Sequence, residues 1–379
     1  MKEIAVFICN YNKKDYLLRN IESLSKQSIL EQADVYVIDN ASTDGAPDAV
    51  EQCFPWVHVI RNKENVGGAG GFAQALAMGN QQEYPYIVLA DNDIEWESTV
   101  LEELHEYLKS HGDVGMVGPK LLRMDRPDRV WIFGQTIDFD SYKVIDGYFD
   151  QPDDDVQEDE IFCDNIPACC LMIKRACLKQ TGYMPADNFI AWDDVEWCHR
   201  FGLAGYKVAV IKKVKVWHMT GARVIQNYFF TYYQNRNKMH FFANYISEDS
   251  IEKYAESALG ELFAKIYGYA HKGKYNAITT LMYALQDFLN NVRGRAEEHK
   301  ILPVEDIAGC ERSNRETVLV SHVKDITDYD ETKLYEDSWG NVIATKEEFY
   351  YFQNYNLARR NFIMMYKQLF IDAIKRIRE

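Results

Sequence analysis

An apolar run, Ile87-Val88-Leu89-Ala90, stops abruptly at Asp91-Asn92-Asp93, and this stretch constrains the fold more than any other. Such a run bounded by polar residues suits a strand buried on both faces of a parallel sheet. Open α/β sheets place their ligands at the carboxyl ends of such strands. Two carboxylates one residue apart repel each other unless a cation lies between them, and hard oxygen ligands suit Mg²⁺ or Mn²⁺ holding a diphosphate. A solvated turn after a strand has the same sequence, so the flanking segments must decide.

Three strand-helix units precede it. Glu3 to Cys9 reads as a strand, followed by Asn10-Tyr11-Asn12 and a helical pattern through Leu17, Leu18, Ile21 and Leu24. A second strand, Asp34 to Ile38, ends in Asp39-Asn40-Ala41-Ser42-Thr43-Asp44-Gly45, where Ser42 or Thr43 can cap a helix beginning near Pro47. Val57 to Arg61 leads through Asn65-Val66-Gly67-Gly68-Ala69-Gly70-Gly71-Phe72 into a helix containing Ala75, Leu76 and Met78. Glycines ahead of a helix let backbone N–H groups approach an anion at its positive end. The units predict a doubly wound, mostly parallel sheet whose crevice collects these loops along one edge. The glycine run lacks the Gly-Lys-Ser/Thr of a P-loop and the spacing of dinucleotide folds, so ATP and NAD chemistry drop out. A nucleotide-sugar site needs less: Asp39 can accept from a uracil or thymine N–H, Asp91 can bind ribose or metal, and Asp93 can hold the metal.

Composition removes other classes. The 379 residues suffice for two domains. Lys and Arg total 42 against 58 Asp and Glu, a net charge of −16 that argues against a nucleic-acid partner. No stretch reaches the ~20 uninterrupted apolar residues of a membrane span, and the start leads straight into a strand, so a cytoplasmic location is expected. Eight cysteines (Cys9, Cys53, Cys163, Cys169, Cys170, Cys177, Cys198 and Cys310) are scattered without a CxxC pair and read as reduced core thiols.

Beyond Trp96 a helix is expected to about Ser110, then a strand over Val114–Pro119 and a hairpin region over Val130–Tyr148. The acidic run from Gln151 to Glu160 reads as a solvated mobile loop, and Ile166–Ile173 as a buried strand. Phe189-Ile190-Ala191-Trp192-Asp193-Asp194-Val195-Glu196-Trp197 opens a helix ending at Gly205. Asp193 and Asp194 lie in its first turn, where the dipole favours an ionised carboxylate able to act as a base, although helix propensity alone also supplies such aspartates. After a strand over Lys207–Ile211, His218 in Val214-Lys215-Val216-Trp217-His218-Met219-Thr220-Gly221 is either structural or the third member of an Asp-Asp-His metal site.

The order Asn10-Tyr11-Asn12, Ile38-Asp39-Asn40, Asn65 to Gly71, Asp91-Asn92-Asp93, Trp192-Asp193-Asp194 and Trp217-His218 resembles inverting family-2 glycosyltransferases of the GT-A fold, over roughly residues 2–245. The resemblance implies an α/β, Rossmann-like catalytic domain over residues 1–245. A mainly helical domain follows over 246–379, with helices over Ile251–Tyr269, Ala277–Val292 and Glu347–Ile377; residues 302–341 stay unassigned. It also implies a nucleotide-sugar donor contacted by Asn10, Asp39, Asn65, Gly68, Gly71, Asp91 and Trp192. Mn²⁺ or Mg²⁺ would be held by Asp91, Asp93 and His218. Asp194 would be the base that deprotonates an acceptor hydroxyl, with Asp193 beside it and Trp192 and Trp197 offering an apolar sugar platform.

Gly-Gly-x-Gly-Gly-Phe with Trp-Asp-Asp and Trp-His resembles galactofuranosyltransferases, which implies UDP-galactofuranose and a cell-surface glycan or lipid-linked acceptor. Asn92 departs from that group, whose members often carry a third aspartate there. Tyr232-Tyr233-Gln234-Asn235-Arg236-Asn237 resembles a motif shared with rhamnosyltransferases, which use dTDP-rhamnose. A non-catalytic nucleotide-sugar-binding protein of the same fold is the alternative from another class; it would need the metal site but no base. Aromatics from Tyr228 to Tyr245 read as core or as a lipid-facing surface. Lys367, Lys375, Arg376 and Arg378 among Ile371, Ile374 and Ile377 suit peripheral contact with the inner face of a membrane. A homo-oligomer is compatible with the sequence.

Overall fold

The apolar runs that open the chain are strands in the computed structural model, which describes residues 2–219, 226–305, 316–321, 325–330, 332–337, 342–343, 349 and 354–379. Two compact units divide at Val224. The first is built on a ten-stranded sheet. Strands β1 (Ile4–Asn10), β2 (Ala33–Asp39), β3 (His58–Arg61) and β4 (Tyr86–Asp91) are connected by helices α1 (Lys14–Leu24), α2 (Ala46–Cys53) and α3 (Gly67–Gln81). They lie in the order β3-β2-β1-β4, all parallel. The winding therefore reverses after β3, which puts a topological switch point between β1 and β4. All seven residues of β1 are buried, as a strand covered on both faces requires.

The chain continues through β5 (Ile94–Trp96), α4 (Val100–Ser110), β6 (Val114–Arg123), β7 (Val130–Ile132) and a hairpin of β8 (Gln135–Asp138) and β9 (Lys143–Asp146). It then forms β10 (Glu160–Cys163), β11 (Cys170–Lys174), α5 (Leu178–Thr181), α6 (Asp193–Leu203) and β12 (Lys207–His218). Strand β11 lies antiparallel between β4 and β6, and β12 is parallel to β6. The expected sheet is thus present and mostly parallel, with β5, β7, β10 and β11 running in the opposite direction.

Three local expectations change. The glycine run is not a loop ahead of a helix: Gly67 to Gly71 form the opening of α3 itself. The acidic run is pinned rather than mobile, because Asp153 pairs with Lys215 at 2.5 Å and with Lys120, which is only 1% exposed. Val156 anchors the same run by burying completely. Finally, Trp197 is core: it is fully buried, edge-on to Phe201, and donates its Nε1–H to the Gly182 carbonyl, so it offers no platform to a sugar.

The second unit is mainly helical, with α7 (Phe229–Tyr245), α8 (Ile251–His271), α9 (Tyr275–Leu289) and α10 (Tyr355–Arg378). It includes α7, whose His240 and Phe242 rings pack on Phe288 of α9 and Tyr254 of α8. Tyr232, Tyr233, Phe241 and Phe242 are buried core, whereas Phe230 is exposed. The span left unassigned contains β13 (Thr317–Val320), β14 (Leu334–Asp337) and the start of a three-stranded sheet completed by β15 (Val342–Ile343). The Tyr232 to Asn237 motif turns inward. The Tyr232 hydroxyl and Lys300 bind Asp287, and Arg236, fully buried, donates to the Gly294 carbonyl at 2.8 Å while lying 5.1 Å from both tyrosine rings. This is a satisfied buried network that fixes the packing of the unit. Thr220, Gly221 and Cys310 lie outside the described residues.

Candidate active site

The carboxyl ends of the parallel strands meet at one edge. Register sets Asn10 opposite Asp39 and Cys9 opposite Asp91, so the ends of β1, β2 and β4 are level. Asn10, 1% exposed, locks them: its Nδ2 donates to Asp39 Oδ1 at 2.8 Å and its Oδ1 accepts from Asn92 Nδ2 at 2.7 Å. Asp39 also accepts the Ser42 amide at 2.9 Å. Both residues therefore shape the rim, and Asp39 is nearly enclosed. Tyr11, which the motif reading passed over, stands 46% exposed beside them. An exposed ring directly after a buried strand was the available signal.

Asp91 and Asp93 diverge in environment although one residue separates them. The Asp91 side chain is 39% exposed, while that of Asp93 is 3% exposed and paired with Lys13. Strand β5 follows at once and pairs antiparallel with the end of β12, which sets His218 opposite Ile94. The Met219 amide donates to the Asp93 carbonyl at 3.0 Å and closes this junction. His218 Nε2 consequently lies 3.3 Å from Asp93 Oδ1 and 3.6 Å from Asp91 Oδ2. Trp131 stacks on the imidazole at 4.4 Å and fixes its plane. Lys13 and Trp131 were invisible to sequence reasoning because they arrive from a helix start and from β7.

One oxygen of each carboxylate and one imidazole nitrogen lie within 4.8 Å of one another. Two hard oxygens and a borderline nitrogen fit a divalent cation such as Mn²⁺ or Mg²⁺. A divalent ion held there would neutralise negative charge developing on a phosphate. The three groups also balance one another's charge. Burial disfavours the His218 cation, but hydrogen bonds and charges from Asp91 and Asp93 outweigh it and lift the imidazole to about 9. Burial likewise opposes ionisation of Asp93, yet His218 and Lys13 hold its carboxyl well below the usual range.

The second acidic pair comes from the start of α6. Phe189, Ala191 and Trp192 all take positive φ, near +65°, and this bent segment delivers Asp193 and Asp194 to the first turn. Asp194 accepts the Val195 amide at 2.8 Å and a backbone bond from Ala168, while the Asp91 amide donates to the neighbouring Cys169 carbonyl at 2.9 Å. The segment before β11 thus bridges the two acidic centres. Burial raises Asp194 to about 6, with the Asp91 charge adding to it and the backbone bonds opposing. Burial raises Asp193 further, and the charge of Asp194 adds to that. The two buried carboxyls titrate as a pair, both raised above the ordinary carboxyl range.

Segment 189–192 also closes on α3. The Gly67 φ is +78°, and a Cβ there would meet the Phe189 carbonyl oxygen at 2.0 Å. Gly71 packs on Cys9, where a Cβ would meet Sγ at 2.9 Å, whereas Gly68 faces open space. Asn65 caps the turn through its Oδ1, which accepts the Gly67 amide at 2.8 Å. Of the expected donor contacts, then, Gly68 is the one whose missing side chain the fold does not demand. Trp192, 8% exposed, sits at the α6 N-terminus.

The family profile described as Glycosyl transferase family 2 matches residues 5–179, the span holding every strand from β1 to β11. Residues 5–179 form a family-2 glycosyltransferase domain. The N-acetylglucosaminyl-diphospho-decaprenol L-rhamnosyltransferase of Mycobacterium tuberculosis is 22% identical over 234 residues, covering 57% of this glycosyltransferase and 75% of the relative. A crystal structure of GalNAc-T7 with UDP, GalNAc and Mn²⁺ superposes with a TM-score of 0.53 at 14% identity, over 68% of this chain and about half, 51%, of the other. That likeness is one of fold, and it places the sheet in the GT-A class.

Proposed function

We propose that this glycosyltransferase is metal-dependent and inverting, and that it transfers galactofuranose from UDP-galactofuranose to a hydroxyl of a lipid-linked or growing cell-surface glycan at the cytoplasmic face of a membrane. The observation that carries the reaction class is the convergence of the Asp91, Asp93 and His218 cluster with the buried Asp194 carboxyl across the Ala168-Cys169 bridge. Asp194 takes the acceptor proton, the acceptor oxygen bonds to the anomeric carbon, and the bond from that carbon to the diphosphate breaks. Attack opposite the leaving group inverts the centre. The acid-base pair argues against a purely binding protein, which has no use for a carboxyl kept at a cost in burial. The glycine run with the Trp192 and Trp217 motifs supports the galactofuranosyl donor.

A second reading, rhamnose from dTDP-rhamnose, is favoured by the activity in the mycobacterial relative's name. The Tyr232 to Asn237 motif adds nothing to it, since all of those side chains but Gln234 are buried in the packing of the helical unit. The lipid-linked acceptor is supported by the same relative's decaprenol substrate. Product analysis with each donor and Mn²⁺ tests the proposal: transfer from UDP-galactofuranose with inversion is expected. Transfer from dTDP-rhamnose alone would replace the donor, and retention of configuration would overturn the role of Asp194.

A further inference from the structure

Helix α10 carries charge opposite in sign to the rest of the chain. Its 24 residues include Arg359, Arg360, Lys367, Lys375, Arg376 and Arg378 but a single acid, Asp372, within a chain of net charge −16. Phe370, Ile371, Ala373 and Ile374 bury one side of the helix. At ~100° per residue, Leu357, Met364, Met365 and Leu369 fall together on the other side, with Lys375 and Arg376 among them and Arg360 at its margin. All four apolar side chains are open to solvent, at 60, 68, 68 and 53% exposure. Lys367 and Arg378 are engaged with Glu252, Glu256 and Glu248, Arg376 donates to the Leu289 carbonyl at 2.5 Å, and the lone acid is held by Gln368 at 2.8 Å. What remains outward is leucine, methionine and positive charge.

We propose that this face of α10 docks the protein on an anionic lipid surface, with Leu357, Met364, Met365 and Leu369 entering the boundary between headgroups and acyl chains and Arg360 and Lys375 meeting lipid phosphates. Charge selects this occupant. A second copy seated by two-fold symmetry would bring the same positive groups face to face with almost no acid to receive them. A surface of phosphate diesters accepts them all. Among the described residues no helix is long and apolar enough to cross a membrane, so attachment by this face is peripheral. The biological place of the proposal rests on the lipid-linked acceptor above; the binding itself does not.

Co-sedimentation of the full chain with vesicles of phosphatidylcholine, alone or mixed with phosphatidylglycerol, tests it. Binding to the mixed vesicles, weakening as salt is raised, is expected. The double substitutions Met364→Glu with Met365→Glu, and Arg360→Glu with Lys375→Glu, should each reduce that binding at least ~10-fold. Both should leave the far-UV circular dichroism and transfer to a water-soluble acceptor unchanged. Absence of binding, equal binding by the variants, equal binding to neutral vesicles, or a change in solution mass showing that a second copy covers the face would each overturn the proposal. A failure of the donor or reaction reading would appear in the transfer assay with soluble acceptor and leave vesicle binding intact.

Discussion

The carbonyl oxygen of Phe189 accepts the amide hydrogen of Ala69 at 3.1 Å, so the segment that delivers Asp193 and Asp194 also completes the first turn of the glycine-rich helix. Acid pair and helix start are one construction. This separates the glycines by role. Gly67→Ala would place a methyl against the Phe189 carbonyl at a φ of +78°. A left-handed non-glycine residue costs ~1–2 kcal/mol before the overlap is counted, so a lowered Tm and disturbed Asp193 and Asp194 are expected. Gly68→Ala meets nothing and should keep the wild-type Tm. Weaker donor binding in calorimetry by that variant would then report a contact with the donor; unchanged binding would remove Gly68 from the donor site.

Asp194 gives the pH dependence. Its carboxyl is lifted to about 6, mainly by burial, and acts only when ionised. Turnover should therefore fall as pH drops through about 6, roughly tenfold per unit below it. Asp194→Asn should abolish the limb and lower turnover ~10²-fold or more while donor affinity survives. Asp193→Asn should cost less and leave the limb in place. The folded protein binds the extra proton between the ordinary carboxyl range and about 6, so it loses stability as pH rises across that window. Asp194→Asn should thus raise the Tm at pH 7, and a lower Tm would contradict the burial argument.

Metal binding should be linked to a proton. Because His218 is lifted to about 9, the imidazole must lose its proton before Nε2 can serve as a ligand. Mn²⁺ affinity is expected to rise with pH up to about 9, with proton release visible as buffer-dependent heat in calorimetry. His218→Ala should weaken Mn²⁺ at least ~10-fold and flatten the dependence. In the metal-free protein the sign reverses: the contribution of His218 to stability is complete below its unfolded value and disappears as pH rises through about 9. Affinity independent of pH would exclude His218 as a ligand.

The pairing of Lys120 and Lys215 with Asp153 is a structural test away from the chemistry. Lys120 is 1% exposed, so Asp153→Asn strands a buried ammonium. Breaking such a pair costs ~3–5 kcal/mol, and denaturant unfolding should show a loss of that order. Burial opposes ionisation of Asp153 while both lysines favour it, with a net lowering, so its contribution fades as acid protonates the carboxyl. A neutral substitution would mean that the 151–160 segment is held by Val156 alone.

Much of the first unit was readable because its strands are continuous apolar runs and its functional side chains follow them directly: Asn10, Asp39 and Asp91 are the last residues of β1, β2 and β4. Periodicity also located the helices of the second unit. What escaped depended on pairing between distant segments. The resemblance named His218 as a third ligand, but neither β5 nor β12 announces the ladder that brings it to Asp93 across more than a hundred residues. Lys13 and Trp131 reach the same cluster from positions that local pattern assigns to surface and core. The glycines were misplaced because permissive backbone signals a loop unless one knows that a carbonyl, that of Phe189, occupies the space a side chain would fill.

The positive φ values at Phe189, Ala191 and Trp192 bear on any effort to make this enzyme tolerate heat. Each such residue withholds ~1–3 kcal/mol from the fold. A selection for thermostability alone would be drawn here first, for example to Ala191→Gly, which removes the conflict between side chain and backbone. Such a gain would also loosen the bend that aims Asp194. Durable variants are better sought in the hairpin of β8 and β9 or on the solvent side of α4, where improvement does not trade against the placement of two carboxylates.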